Sequence, residues 1–207
     1  MIDFKKQVVF IHVHKVAGKS ISFAIENNYI PQIFQKNETL RWNYKKFFLK
    51  NKLITKNNII STHSTALEYK NYLKKQYYNF YSFAFVRNPL DWQVSMYFYM
   101  AKAQGHPQHN IIKNMKFDDY IEWRCSNEVN FQSDYLLNNK NKKIITFLGK
   151  YENLKSDIKK IEKDTLLKLE LPHLNKVKHD NYKKYYTSYT RNLVYENFKK
   201  DFEILNY

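Results

Sequence analysis

The loop HVHKVAGKSIS, which follows an apolar run near the start of the chain, carries residues that could bind phosphate. Gly18, Lys19 and Ser20 match the second half of the Walker A pattern G-x-x-x-x-G-K-[ST]. Val13 stands where the first glycine of that pattern belongs, and Lys15 places a second lysine inside the loop. Because backbone N–H groups that lead into a helix N-terminus bind phosphate whatever nucleotide carries it, the loop predicts a phosphate site. The alternative is an ordinary turn with surface lysines.

Polar residues at two further predicted strand ends favour a second phosphate over a metal ion. A magnesium-triphosphate site usually takes an acidic residue from a neighbouring strand end, but the neighbouring strands end in Thr62-His63 and in Arg87. Arginine is the better bidentate phosphate ligand. Ser95 lies two turns into the following helix, on about the same face as Asn88. A guanidinium and a hydroxyl there can hold one phosphate, which predicts a nucleotide with phosphates on both sides of its ribose and no metal.

The elements that must position these residues alternate between strands and helices. The sequence predicts strands at 8–13, 58–62, 80–86 and 143–149, helices at 20–27, 66–78, 89–103, 117–124, 130–138, 153–164 and 187–207, and long loops at 104–116 and 171–186. This order predicts an α/β fold with a parallel β-sheet covered by helices on both faces, in one domain spanning residues 1–207. Ligands of such sheets bind at the carboxyl ends of the strands, where the loop, His63 and Arg87 fall.

Composition narrows the class of partner. The 207 residues carry a net charge of +16, which fits a nucleotide, an acidic or sulfated glycan, a nucleic acid or a membrane surface. Much of that charge is scattered lysine on a solvated surface, whereas arginine occurs only at 41, 87, 124 and 191. The three glycines are scarce enough that each is expected to mark a backbone position that a larger residue could not fill.

Cysteine usage and hydropathy predict a soluble protein of a reducing compartment. Cys125 is the only cysteine, which excludes an intrachain disulfide and a cysteine-based zinc site. The first apolar run is too short for a signal peptide, and no stretch approaches the roughly 18 apolar residues of a membrane span. We expect no metal, no nucleic-acid partner and no integral membrane segment.

Four motifs in order resemble the carbohydrate-type sulfotransferases that use 3′-phosphoadenosine 5′-phosphosulfate (PAPS). HVHKVAGKS is similar to the family loop H-I-P-K-T-A-G-T-S, and RNPLDWQVSMY from Arg87 is similar to R-[DN]-P-x-D-R-x-x-S-x-Y. GKYENL is similar to G-[RK]-[FY]-E-x-L, and LPHLNKVKH with the final DFEILNY is similar to the family's closing segments. The resemblance runs from residue 8 to the last residue and implies the sulfotransferase fold.

The resemblance also implies roles for individual residues. It places the 5′-phosphosulfate on Lys15 and on the loop residues Val16, Ala17, Gly18, Lys19 and Ser20, and the 3′-phosphate on Arg87 and Ser95, with further cofactor contacts from Asn175 and Lys176. Lys15 would stabilise the leaving group. His63 would be the base, and the alternative for it is a histidine bonding a loop carbonyl. We expect His12 to point into the sheet, and His14, which replaces the family's proline, could equally be structural.

Three departures and the acceptor leave alternatives open. Lys19 replaces a usual threonine, Trp92 a usual arginine and Val177 a usual hydroxyl residue. The resemblance implies a carbohydrate hydroxyl as acceptor, for which Trp92, Trp123 and Arg124 could provide stacking and charge. Gly18-Lys19-Ser20 keeps a P-loop kinase of a small metabolite as the second hypothesis, and a nucleic-acid-binding module is the third. The animal members of the family sit in the Golgi behind a membrane anchor. The absence of such an anchor here predicts a cytoplasmic, bacterial enzyme.

Overall fold

The computed structural model describes the backbone of residues 1–50, 60–172 and 180–207. The chain divides into two compact units, Met1–Val86 with Tyr135–Leu174 and Arg87–Asp134 with Asn175–Tyr207. The helices in chain order are α1 (Gly18–Asn27), α2 (Gln32–Gln35), α3 (Glu38–Lys50), α4 (Ala66–Leu73), α5 (Pro89–Lys102), α6 (His109–Ile112), α7 (Phe117–Asn127), α8 (Leu154–Thr165), α9 (Ser188–Asn197) and α10 (Lys199–Leu205). Short 3₁₀ helices lie at Lys74–Asn79, Ser133–Tyr135, Tyr151–Asn153 and Tyr182–Tyr185.

The first unit contains a mixed four-stranded sheet. Its strands in spatial order are β1 (Ile2–Asp3), β2 (Val8–Ile11), β3 (Tyr81–Val86) and β4 (Phe147–Lys150). β2, β3 and β4 run parallel, with Ile11 beside Ala84 and Ala84 beside Leu148, whereas β1 is antiparallel to β2. All four residues of β2 are buried, as expected for a parallel strand that is covered on both faces. The parallel-sheet prediction therefore applies to β2, β3 and β4, and β1 adds an antiparallel edge.

A buried ion cluster joins α3 to α1, the helix that follows the phosphate-binding candidate loop. Arg41 Nη2 lies 3.2 Å from Glu26 Oε2, and Lys45 Nζ lies 2.7 Å from Glu26 Oε1. The Arg41 guanidinium also covers the ring of Phe23 at 3.5 Å. A charge this deeply buried is stable only when it is paired. The cluster therefore holds α1 in place from the side opposite its N-terminus.

In the second unit, α5 starts at a strong N-terminal signal. The Asn88 side chain accepts a hydrogen bond from Leu90 N at 3.0 Å, and Pro89 occupies the first helical position, where its missing N–H costs nothing. Tyr186 donates its hydroxyl hydrogen to the Leu90 carbonyl at 2.8 Å. Two independent contacts thus fix the first turn of the helix that carries Ser95.

Several predicted element boundaries need correction. Residues 60–62 form a bend and turn instead of the end of a strand, and residues 58 and 59 lie outside the described part of the chain. The predicted strand at 143–149 begins only at Phe147, and the residues before it pair elsewhere, since Lys143 bridges Leu137 and Ile144 N donates to Leu136 O. The predicted helix at 130–138 is a single 3₁₀ turn, and the loop at 104–116 contains α6. The closing helix breaks at Phe198, which is fully buried and ends α9.

The expectation that each glycine marks a position too crowded for a larger residue holds at two of the three glycines. A Cβ on Gly18 would lie 1.8 Å from His12 Nε2, and a Cβ on Gly149 would lie 2.4 Å from Phe85 Cε1. Both glycines therefore make room for a ring. The expectation is wrong for Gly105, since no described atom lies within 4 Å of a Cβ there.

Candidate active site

The loop after β2 contains two side-chain-bearing residues in the left-handed region. Lys15 has φ 61° and Ala17 has φ 64°, whereas Gly18 does not have a positive φ. This conformation costs a residue with a Cβ roughly 1–2 kcal/mol, and such costs concentrate at functional sites. Left-handed residues that alternate with right-handed ones turn successive N–H groups toward one concave side, which is an anion-binding arrangement. The backbone here adopts left-handed angles at Lys15 and Ala17 and not at a glycine.

The N-terminus of α1 continues this arrangement. Ala17 is its N-cap and provides no side-chain hydrogen bond, and the first turn contains no acidic residue. The first N–H groups of a helix have no partner within the helix, and their positive end favours an anion. Gly18 and Ser20 are nevertheless buried, so water reaches these groups poorly. An anion at this terminus would satisfy them.

The two loop lysines differ in exposure. Lys15 is half-buried, whereas Lys19 is exposed on the first turn of α1. A half-buried ammonium interacts more strongly with a bound anion than an exposed one, because solvent screens it less. The structure therefore separates two residues that the sequence could not rank by exposure.

The ring of His12 lies over Gly18 and is neutral. Burial, then the nearby His63 and His14, lower the pKa of His12 to about 3. Its Nδ1 has no hydrogen-bond partner among the described residues. The ring stacks on Phe10 with centroids 5.8 Å apart, so the expectation that it points into the interior is met. A histidine that stays neutral and buried packs the loop and does not act as a charged group.

His63 lies next to the loop. Its Nδ1 is 2.9 Å from the carbonyl oxygen of His12, and its ring stacks on His14 with centroids 3.7 Å apart. A carbonyl oxygen only accepts, so Nδ1 must donate, and in the neutral ring Nε2 then carries the lone pair. The bond to a carbonyl that we considered as an alternative to catalysis is therefore present. It also produces the tautomer that a base acting through Nε2 needs.

Short-range hydrogen bonds hold the segment that carries His63. Ser61 N donates to Ser64 Oγ at 3.0 Å. Thr65 and Glu68 form a capping box, in which Glu68 N donates to Thr65 Oγ1 at 3.2 Å and Thr65 N donates to Glu68 Oε2 at 2.6 Å. The residues on both sides of His63 are thus anchored, and the ring position follows from them.

In the second unit, Arg87 directly follows the last residue of β3 in the chain. Arg87 Nε lies 2.5 Å from Asp91 Oδ2, and the residue is only 7% exposed. Ser95 is 3% exposed, and among the described residues its hydroxyl makes no hydrogen bond to its own helix. Asp91 and Ser95 are spaced by four residues, which places them on one side of α5, and Arg87, which precedes the helix, contacts Asp91. Asp91 orients the guanidinium, a role that the sequence did not assign.

Two further residues were also missed from the sequence, Gln132 at the Arg87 backbone and Asp201 at the Gln132 backbone. Gln132 Oε1 accepts from Arg87 N and Gln132 Nε2 donates to Arg87 O, both at 2.9 Å. Both oxygens of Asp201 accept backbone bonds, from Gln132 N at 2.8 Å and from Ser133 N at 2.9 Å. Asp201 belongs to the DFEILNY motif, so its position had been singled out but its role had not.

The comparisons with known proteins decide the family. The model of the sulfotransferase family matches residues 1–207. The chain belongs to the sulfotransferase family. Comparison with curated proteins and with solved structures found no significant match. Members of this family are transferases that generally use PAPS as the sulfate donor and a hydroxyl group as acceptor.

The structure of this sulfotransferase family member does not leave Arg124 and Trp92 open to a sugar. Arg124 is 0% exposed and pairs with Glu128 at 2.8 Å, and its guanidinium lies 5.9 Å from the Trp92 ring centre. Trp92 is also buried, whereas Trp123 is half-buried. Arg124 and Trp92 are therefore core residues, and the expected contacts with a sugar do not apply to them.

Three further candidate residues of this sulfotransferase family member lie outside the described part of the chain, namely Asn175, Lys176 and Val177. Within residues 1–50, 60–172 and 180–207, no group of three or more His, Cys, Asp or Glu side chains is arranged to hold a metal ion. In the same ranges, no helix has the length and apolar character needed to cross a membrane.

Proposed function

We propose that this protein transfers a sulfuryl group from PAPS to a hydroxyl of an acceptor, and the motif resemblance favours a carbohydrate as that acceptor. We further propose that residues 1–207 work as one sulfotransferase domain. Family membership supports sulfuryl transfer.

The observation that carries the proposal is the loop before α1. Two left-handed residues that carry a Cβ precede a helix N-terminus that is largely buried and has no side-chain cap. A bound anion is the partner that best satisfies the N–H groups of such a site. We assign to it the 5′-phosphosulfate, held by Lys15 and by the loop from Val16 to Ser20. Lys15 would also stabilise the negative charge that develops on the leaving phosphate oxygen.

The 3′-phosphate is assigned to Arg87 and Ser95. The Asp91 carboxylate fixes the orientation of the guanidinium through Nε, and Ser95 adds a buried hydroxyl on the same side of α5. A charge-assisted contact in such a poorly solvated position is worth roughly 1.5–3 kcal/mol. An arginine following β3, where a triphosphate site would need an acidic metal ligand, supports the bisphosphate nucleotide over ATP.

His63 is assigned as the base. The acceptor oxygen forms a bond to sulfur while the bond from sulfur to the 5′-phosphate oxygen breaks, so adenosine 3′,5′-bisphosphate is released. The acceptor proton passes to His63 Nε2, which the Nδ1 bond to His12 O keeps as the lone-pair nitrogen. Charge separation during such a displacement is met by Lys15 on the leaving side and His63 on the attacking side.

A calorimetric titration tests the proposal. Adenosine 3′,5′-bisphosphate should bind without metal and at least roughly tenfold more tightly than ADP, because one charge-assisted contact alone supplies that factor. Arg87→Ala should remove most of the preference, and Arg191→Ala, which changes an exposed arginine of the same unit, should keep it. Binding of ATP with Mg²⁺ as tight as that of the bisphosphate would refute the proposal in favour of the kinase.

A further inference from the structure

We propose that Gln132 and Asp201 are positioning residues that fix Arg87 for binding of the 3′-phosphate. The inference rests on the proposed function and adds to it a three-residue relay, in which Asp201 holds Gln132 and Gln132 holds Arg87. None of the sequence motifs assigns a role to Gln132.

The contact between Gln132 and Arg87 uses both ends of one side-chain amide. Oε1 accepts from the Arg87 N–H and Nε2 donates to the Arg87 carbonyl, each over 2.9 Å. A residue whose N–H and C=O are both held in this way has little freedom in its backbone angles. Gln132 thus acts on Arg87 as a neighbouring strand would, at the residue that follows β3.

The second contact fixes Gln132 itself. The two carboxylate oxygens of Asp201 take the consecutive N–H groups of Gln132 and Ser133 over 2.8 and 2.9 Å. Asp201 and Gln132 are both 0% exposed, so water cannot readily replace either partner. Burial raises the pKa of Asp201, and the two backbone bonds oppose this by favouring the carboxylate.

The relay matters because Arg87 is held at two places, its backbone and its guanidinium. The backbone is held by Gln132, and Nε is held by Asp91. Ordering a long side chain at the moment of binding weakens affinity, and a side chain already held in position avoids that loss. Removing Gln132 would leave Asp91 as a contact but would let the whole residue shift.

The test uses two variants and one control in the full chain. Gln132→Ala removes the amide. Gln132→Met keeps the approximate volume and length of the side chain but removes both hydrogen bonds to Arg87, so a fold that merely needs the volume tolerates it. Asp134→Asn is the control, because it changes an exposed acid of the same segment that pairs with Lys200 and does not contact Arg87.

Two readouts separate the relay from general stability and from the proposed function. By NMR, hydrogen exchange of the Arg87 amide should accelerate at least roughly tenfold in both Gln132 variants but not in the control. The affinity for adenosine 3′,5′-bisphosphate should fall roughly tenfold or more, while ADP affinity changes less than about twofold. In an Arg87→Ala background, Gln132→Ala should change bisphosphate affinity less than about twofold, because the two residues act as one unit.

The outcomes of these measurements distinguish a failure of the relay from a failure of the proposed function. Unchanged exchange at Arg87, or equal losses for ADP and bisphosphate, overturns the relay and leaves the proposed function standing. Faster exchange at Arg87 in a protein whose wild type shows no preference for the bisphosphate refutes the proposed function, and with it the purpose of the relay. Faster exchange together with a selective loss of bisphosphate affinity supports both.

Discussion

The imidazole rings of His14 and His63 stack face to face, with centroids 3.7 Å apart and planes inclined by 21°. The sequence placed these residues 49 positions apart, on two different segments. His14, which stands where the family has a proline, therefore lies directly against the proposed base, His63. It also limits the rotation of His63, because its ring is held by stacking on one side and by the His12 carbonyl at Nδ1.

Replacing His63 should abolish most turnover while sparing donor binding. His63→Ala removes the proposed base and should lower the turnover number by roughly 10²–10⁴-fold. Affinity for adenosine 3′,5′-bisphosphate should stay within about twofold of wild type, because the ring is assigned to the acceptor and not to the nucleotide. The measurements are initial rates and calorimetry, with His109→Ala as the matched control. Near-normal turnover would return His63 to a purely structural role.

The two loop lysines should differ in their effect on the chemical step. Lys15→Ala should reduce turnover by at least about a hundredfold, the size found when one donor to a developing oxyanion is lost. Lys19→Thr, at an exposed position, should leave an active enzyme. Single-turnover rates at saturating donor give the comparison. The opposite ranking would indicate that Lys19 acts as a Walker-type lysine and would revive the kinase hypothesis.

Gly18 should resist even the smallest substitution. In Gly18→Ala the new Cβ would meet the His12 ring at 1.8 Å, and such overpacking costs roughly 1–3 kcal/mol of stability. Gly105→Ala is the matched control, because a Cβ there meets nothing within 4 Å and should change stability by less than about 1 kcal/mol. Urea unfolding of both variants is the measurement. Equal stabilities would show that the His12 ring yields easily.

Stability should fall with acidification because of His12. The folded state keeps this ring neutral, since burial lowers its pKa from 6.5 to about 3, whereas the unfolded chain takes up a proton near the ordinary value. The unfolded state therefore binds more protons below about pH 6.5, and stability drops by up to about 1.4 kcal/mol per pH unit as the pH falls toward 3. His12→Leu should flatten this slope in urea unfolding at several pH values. His109→Gln, used for comparison, should keep the slope of wild type.

Local sequence signals were sufficient for the elements that carry the loop and Arg87. β2, α1, β3 and α5 all lie where hydrophobic periodicity and the Asn88-Pro89 start signal predicted them. β1 has two residues, too few for a periodic pattern. The apolar run at 58–62 resembled a strand, but its described end turns instead. The contacts that the His63 ring makes with His12 and His14 have no local pattern in the sequence.

The residues of the candidate site also fall into two groups, those that the sequence indicates and those that only the folded chain brings together. Lys15, Arg87 and His63 could be chosen from the sequence because each follows a predicted strand, and Ser95 because it follows Arg87 in the RNPLDWQVSMY motif. Gln132 and Asp201 could not, since 69 positions separate them and their contact exists only after α10 has packed. The left-handed angles of Lys15 and Ala17 were also not predicted. A glycine usually signals such angles, but Gly18 stands one position after Ala17 and instead makes room for the His12 ring.

The amide of Gln132 has a consequence for the backbone that follows β3. A buried N–H or C=O group without a partner costs free energy comparable to a lost hydrogen bond. Arg87 is the first residue after β3, and both of its backbone groups are bonded to one side chain. Asn28 holds the backbone of Lys168 in the same way, through two bonds of 2.8 Å. Each amide completes the backbone bonding of one residue, so the chain can leave a strand at Arg87 without leaving these backbone groups unpaired.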